Sequence, residues 1–293
     1  MAPAKTPVQD ANPDSSVKER ALLEQLSATQ AKGGDSNAFL PLEYLIAFYQ
    51  QHQLWAKAAQ YSHQLVSLWN DAVGPGAVGA AAFEVEEARS LAALGEYAKA
   101  EALLTHALAT LRETPQVDDA SRAIALADLA EILAKEDKTD AALSSFAKAI
   151  PALEVTVGLH EPWLLAAGKY DELLPTNGRS DTDRELAAKI STAKSEHART
   201  ESRGFVRPKP KKLPPPAYTG EAKRLRVSGT VLLFIEITAS GQVENVHVVR
   251  PLGLNLDEEA TKTVKKWKFE PARDENRAAP FFGQVEVQFR ENL

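Results

Sequence analysis

The chain has 293 residues, 44% apolar and 25% charged, the balance of a soluble globular protein with room for two domains. It has no cysteine, which excludes disulfides, thiolate metal sites and a cysteine nucleophile. The net charge of −6 conceals a basic junction at 199–226, with nine Lys/Arg against two Asp/Glu, and no apolar run approaches the ~20 residues that span a bilayer.

The first sixteen residues, MAPAKTPVQDANPDSS, lack the apolar core of a signal peptide and read as a disordered leader. For an exported protein, a signal or membrane anchor would be missing from this sequence. From residue 17 the periodicity is helical, and VKERALLEQLSATQA predicts a first helix over about 17–31. A repeat then governs the chain. WAKAAQYSHQL (55–65), YAKAEALLTHA (97–107) and TDAALSSFAKA (139–149) align in steps of 42 residues. Trp55, Tyr97 and Thr139 correspond, as do Ala58, Ala100 and Ala142, then Ser62, Leu104 and Phe146. The small residue lets two helices approach closely, the large one fills the gap between repeats, and Gly95 turns one helix into the next.

This spacing resembles the tetratricopeptide repeat, best in the second copy with Gly95, Tyr97, Ala100 and Ala107. The first copy departs at Gln53 and Ser62, the third at Asp137 and Thr139. The long period, with linkers such as VGLHEP (157–162), is similar to the kinesin-light-chain type. The resemblance implies an all-α solenoid over 17–199, capped by the first helix and by helices at about 163–174 and 181–199. It also implies a concave side that holds segments of other proteins. By repeat position that side carries Glu43, Ala47, Gln50, Val85, Arg89, Ala92, Ala127, Glu131 and Ala134. A plain solvated face fits the same residues.

Residues 200–217, TESRGFVRPKPKKLPPPA, hold five prolines and predict an extended polyproline-II linker, with a reach on the order of 50 Å. Its lysines suit a solvated tether, or weak contact with a cell-wall polymer or membrane surface. Nucleic acid is disfavoured, because the basic run is short and joins two acidic regions.

From 218 the period changes to two. YTGEAKRLRVSG (218–229) predicts a short helix closed by Gly229. TVLLFIEITASG and the following Val243–Val249 predict a β-hairpin, with Val231, Leu233, Ile235 and Ile237 on one face and Leu232, Phe234, Glu236 and Thr238 on the other. Asn255, with Glu258 as capping-box partner, starts a helix whose apolar stripe is Leu256, Ala260, Val264 and Trp267. Pro271 stops the chain from continuing it, and FFGQVEVQF (281–289) is a last strand. Helix, strand, strand, helix, strand makes a small α+β domain with one antiparallel sheet.

The order and residues resemble the TonB C-terminal domain over about 218–293. The matching features are Tyr218, AKRLRVSGTV (222–231), Gly241 with Val243, Asn245-Val246, WKFEP (267–271) and the alternating last strand. The chain departs at Thr219, where the family has proline, and in having no membrane-spanning anchor. The resemblance implies a periplasmic protein that grips an extended segment of an outer-membrane transporter, or of another envelope protein, by strand addition. The accepting edge would be Phe282, Gly283, Gln284, Val285, Glu286, Val287, Gln288 and Phe289, flanked by Ala217 and Tyr218. Inward Val285, Val287 and Phe289 read as core. Outward Gln284, Glu286 and Gln288 fit either a site or protection of an unused edge.

The preferred reading is a TonB-like adaptor whose repeats hold one protein while its sheet takes a strand from another. The alternatives are an energy transducer whose anchor is missing from the sequence, and a scaffold that dimerises through its C-terminal sheet. An enzyme is disfavoured. The histidines at 52, 63, 106, 160, 197 and 247 are scattered, and phosphate-loop and nucleophile-elbow motifs are absent. No catalytic residue, metal or cofactor is expected. Glu84, Glu86 and Glu87 read as a solvated helical face.

Overall fold

The structure, a computed structural model, describes residues 13–33, 38–175, 180–202 and 204–290. Most of the leader expected over 1–16 lies outside the described residues. Its last four belong to a helix, α1 (Pro13–Gly33). Then come α2 (Phe39–Gln51), α3 (Trp55–Val73), α4 (Val78–Ala93), α5 (Tyr97–Glu113), α6 (Asp119–Lys135), α7 (Thr139–Val157), α8 (Glu161–Leu173) and α9 (Asp181–Thr200).

The 42-residue register is visible in the helix starts, because Trp55, Tyr97 and Thr139 each open the second helix of a hairpin. Ala58, Ala100 and Ala142 are buried at the helix crossings, and Ser62, Leu104 and Phe146 lie behind them. The turn before each of these helices needs a left-handed residue. Gly95 supplies it at φ 81°, but Gln53 and Asp137 take the same conformation at φ 56° and 60°. A side chain there carries a steric cost.

The C-terminal module begins with β1 (Phe205–Val206) and β2 (Lys209–Lys212), followed by α10 (Gly220–Leu225), β3 (Gly229–Ile237) and β4 (Val243–Arg250). Next come α11 (Leu256–Val264), β5 (Lys268–Glu270), β6 (Ala272–Asp274), β7 (Arg277–Ala279) and β8 (Phe281–Phe289). The main sheet is antiparallel, in the order β4-β3-β8. Val231, Leu233 and Ile235 pack with Val287 and Phe289 over Leu256, Ala260 and Val264 of α11.

Several local expectations are corrected. Arg226, left-handed at φ 54°, closes α10, and Gly229 instead opens β3. Asn255 makes no side-chain cap. Asp257 does the local work, accepting from the Leu252 and Gly253 amides at 2.8 and 2.9 Å. Trp267 lies past the end of α11, and its Nε1 donates to Pro214 O at 3.1 Å. Gly241 is required at its turn, since a Cβ there would lie 2.0 Å from Phe269 O.

Within the segment expected as a linker, Phe205–Val206 and Lys209–Lys212 are extended, but they are not a free tether. Phe205 and Val206 pair with β6, and Lys209 to Lys212 pair with β5. Phe205 is buried against Ala272 and Ala279. Proline is tolerated because β2 is an edge strand.

The second face of the main sheet decides the architecture. Phe234 and Val249 are buried among residues of α6 to α9, with Leu232 and Phe282 packed alongside. The sheet therefore sits in the concave side of the solenoid. Its strands run along the solenoid axis: Thr230 meets Glu43 of α2, and Phe234 meets His160 before α8, with ring centroids 5.8 Å apart.

Two outcomes are expected. Gln53→Gly relieves the left-handed strain and should raise stability by about 1 kcal/mol. Phe234→Ala should lower it by about 3 kcal/mol through a cavity between sheet and helices. Urea midpoints measure both.

Candidate functional site

β8 pairs residue by residue with β3, from Gly229 opposite Phe289 to Ile237 opposite Phe281. Among the described residues it has no strand on its other side. Gln284, Glu286 and Gln288 are exposed, while Val287 and Phe289 are buried and Val285 is half-buried. Gly283 accommodates the ring of Phe281, which a Cβ would meet at 2.8 Å. Tyr218 OH donates to Val227 O at 2.7 Å, near the Phe289 end of β8, and Ala217 is exposed beside it.

The opposite edge of the sheet is blocked at Val248. Ser121 Oγ donates to Val248 O at 2.6 Å, and Val248 N donates to Asp118 Oδ2 at 3.3 Å. Asp118 also caps α6 by accepting from Ala120 N at 2.9 Å, and its carboxylate lies 3.3 Å from His247 Nδ1. Burial opposes ionisation of Asp118. The His247 ring and the two amides outweigh it and hold the carboxyl below its ordinary range. Two helix side chains thus stand in for a neighbouring strand at β4, and the β8 edge is left open.

Between the sheet and the inner wall of the solenoid runs a cleft of about 350 Å³, with Gln284 of β8 on one side and Arg89, Asp128 and Glu131 on the other. A polar ladder crosses the wall. Gln50 Nε2 donates to Glu86 at 3.0 Å, Arg89 Nη1 to Glu86 at 2.9 Å and Arg89 Nε to Asp128 at 2.9 Å. Burial opposes each charge here. Even so, Arg89 and Arg250 hold the Glu86 carboxyl low, and Asp128 and Glu86 keep Arg89 charged. Arg250 lies over the Phe83 ring at 5.5 Å, and its Nε is buried without a hydrogen-bond partner among the described residues.

Five of the nine concave residues meet the sheet or this cleft. Glu43 is buried under the sheet, where it accepts from Thr230 N at 3.2 Å. Val85, Arg89, Ala127 and Glu131 line the cleft, and Glu131 is shared with a hollow that also contains Ala92. Ala47 is exposed, and Gln50 and Ala134 are half-buried. The glutamates expected as a solvated face are buried instead, because the sheet and adjoining helices enclose α4. Glu84 pairs with His106 at 2.8 Å and Glu87 with His63 at 3.2 Å.

Sequence reasoning missed Asp118, Ser121 and His160. The His160 ring stacks on Phe282 at 3.9 Å, at the start of the open edge, and burial lowers its pKa. Asp118 preceding a helical run was a visible N-cap signal. Its second role at β4 spans 130 residues and has no local signature. Among the described residues, no group of three His, Asp or Glu side chains is placed to hold a metal ion, and no helix is long and apolar enough to cross a membrane.

A helical-repeat scaffold with an α+β module seated in its groove is the class this fold defines. Residues 214–290 match the family model described as Gram-negative bacterial TonB protein C-terminal. Protein tonB2 of Pseudomonas aeruginosa is 36% identical over 80 residues, 27% of this chain and 30% of that protein. Protein TonB of Klebsiella aerogenes is 36% identical over 67 residues, 22% and 28% of the two chains. Protein TonB of Xanthomonas campestris pv. campestris is 34% identical over 83 residues, 28% and 37%. The chain thus spans about a third of the length of these relatives. The helical part is similar in fold to the kinesin light chain TPR-like repeats of Podosopora anserina, with TM-score 0.50 and 16% identity over 63% of this chain and 89% of that one. Both parts have the fold class expected from the sequence: a TPR-like solenoid followed by a small TonB-like antiparallel sheet domain.

Burial pushes the Glu43 carboxyl up to about 7, against the pull of Arg250 and the Thr230 hydrogen bonds and with the help of Glu286. A raised folded-state pKa gives stability that is present below the ordinary value of 4.5 and is lost as pH rises through about 7. The contact between solenoid and sheet should therefore weaken across that interval. Asp257, also raised to about 7, contributes a slope of the same sign. Glu43→Gln should remove only the Glu43 share, seen as a shallower fall of the urea midpoint between pH 5 and pH 8.

Proposed function

We propose that this chain is a non-catalytic adaptor of the Gram-negative cell envelope, working in the periplasm, that accepts an extended segment of an outer-membrane transporter or another envelope protein on the free edge of β8. One observation carries the reading: of the sheet's two edges, β4 is closed by Asp118 and Ser121, while nine residues of β8 are paired on one side only. Alternate residues of an edge strand direct their N–H and C=O groups outward, so a partner strand gains a ladder of main-chain bonds. Gln284, Glu286 and Gln288 solvate that edge until a partner arrives. The match of residues 214–290 to the TonB C-terminal family supports the same use of the edge.

The solenoid contributes a rigid cradle that positions the edge. Glu43 and Val85 are covered in this arrangement, so the share of the concave side left for a second protein is the part beyond the sheet.

Glu286→Pro removes an edge donor and should abolish capture of the partner in crosslinking from native envelopes, while leaving the helical circular-dichroism signal intact. Undiminished capture by this variant would count against strand addition. Light scattering should give a monomer, and a dimer dissociated by the same substitution would favour self-pairing instead.

A further inference from the structure

We infer that a strand added to β8 lies inside the cleft against the inner wall of the solenoid, and that this wall selects segments carrying Lys or Arg on the side that faces it. The inference rests on the strand-addition reading and adds to it the chemistry of the partner.

The placement follows from the register. Phe282, Gln284, Glu286 and Gln288 lie opposite Glu236, Phe234, Leu232 and Thr230. That parity is the face turned to the solenoid, because Phe234 is buried among α6 to α9 with Leu232 and Phe282 packed alongside. Gln284 already lines the cleft across from Arg89, Asp128 and Glu131. The next strand of a sheet lies ~4.8 Å from the last. A segment added beyond β8 is therefore held by main-chain bonds on one side and overlooks the wall with alternate side chains.

The wall's charge decides what those side chains should be. Arg89 is committed to Glu86 and Asp128. Lys169 on α8 pairs with Glu172. Glu131, by contrast, is exposed and has no ion-pair partner among the described residues. Glu286 is likewise exposed, and its charge is felt at Glu43 across the interface. Arg250, also on the cleft, is half-buried over the Phe83 ring, and its charge acts on Glu43 and Glu86. Glu161 is a further exposed carboxylate of the lining, so the exposed charges left uncommitted are acidic. Leu165, 62% exposed on the same cleft, offers apolar surface for the methylene stem of a lysine or arginine. On the opposite face the added strand continues the side of Val285, Val287 and Phe289, where apolar residues fit.

The test uses the full chain and three fluorescent peptides of about eight residues, alternating Val with Lys, Val with Gln or Val with Glu, a length near that of an ordinary strand. Anisotropy titrations should rank Lys above Gln above Glu, with the preference shrinking as salt rises. Glu131→Lys should weaken the Val/Lys peptide by about tenfold, strengthen Val/Glu and leave Val/Gln unchanged. Asp140→Lys, an exposed reversal on α7 outside the cleft lining, should change none of them. A second arm tests the edge without altering the protein: N-methylation of alternate residues of Val/Lys removes main-chain donors and should abolish binding.

Loss of binding on N-methylation together with indifference to Glu131→Lys would overturn selection by the wall and leave strand addition standing. Equal loss in Glu131→Lys and Asp140→Lys would reduce the preference to general charge attraction and overturn the inference in the same way. Full binding by the N-methylated peptide would overturn strand addition, and the selection with it.

Discussion

Three strands make a sheet with two faces and two edges, and α11 packs on one face. Everything else in this molecule follows from the remaining face. Strand β3 reads GTVLLFIEI and is apolar on both sides, so Phe234 and Leu232 need a second cover. The solenoid supplies it. The sheet lies against its concave side, with Thr230 N bonded to Glu43 of α2 and the Phe234 ring beside His160 before α8. Once the sheet is seated, α6 reaches β4 and closes that edge through Asp118 and Ser121. The asymmetry between a closed β4 and an open β8 is thus a consequence of docking.

The polar groups at this junction serve position more than strength. Gln50, Glu86, Arg89 and Asp128 satisfy one another across three helices. Networks of this kind roughly break even against desolvation. They do so only in one arrangement, because a shift of any helix would leave a buried charge unpaired. Glu43 works differently. Burial raises its pKa to about 7, and it accepts from the Thr230 amide at the start of β3. Gly229 is needed just there, because a Cβ would stand 2.8 Å from Glu43 Oε1.

Much of this was legible in the sequence, and what was missed has a common cause. The helix starts at Trp55, Tyr97 and Thr139 follow from a repeat, and the hairpin and last strand follow from alternation, because both signals are local. The errors arose where distant segments meet. Glu84, Glu86 and Glu87 look like a solvated face until the helices and sheet that enclose them are in place. The prolines of 208–216 pointed to a free spacer, yet β2 needs few amides to pair along an edge. The unbroken apolar run of β3 is the one local sign of burial on two sides.

The sewn junction has a consequence for reach. Eighteen extended residues would let the module sample a sphere tens of ångströms across and search for its partner on a leash. With β1 and β2 stitched to β6 and β5, that leash is shortened. Arg199 at the end of α9 and Asp274 of β6 form an ion pair between scaffold and module. The module cannot fish. Scaffold and sheet diffuse as one body, so encounter is set by how the whole protein is oriented towards its target, and the orientational cost of binding is met when the chain folds.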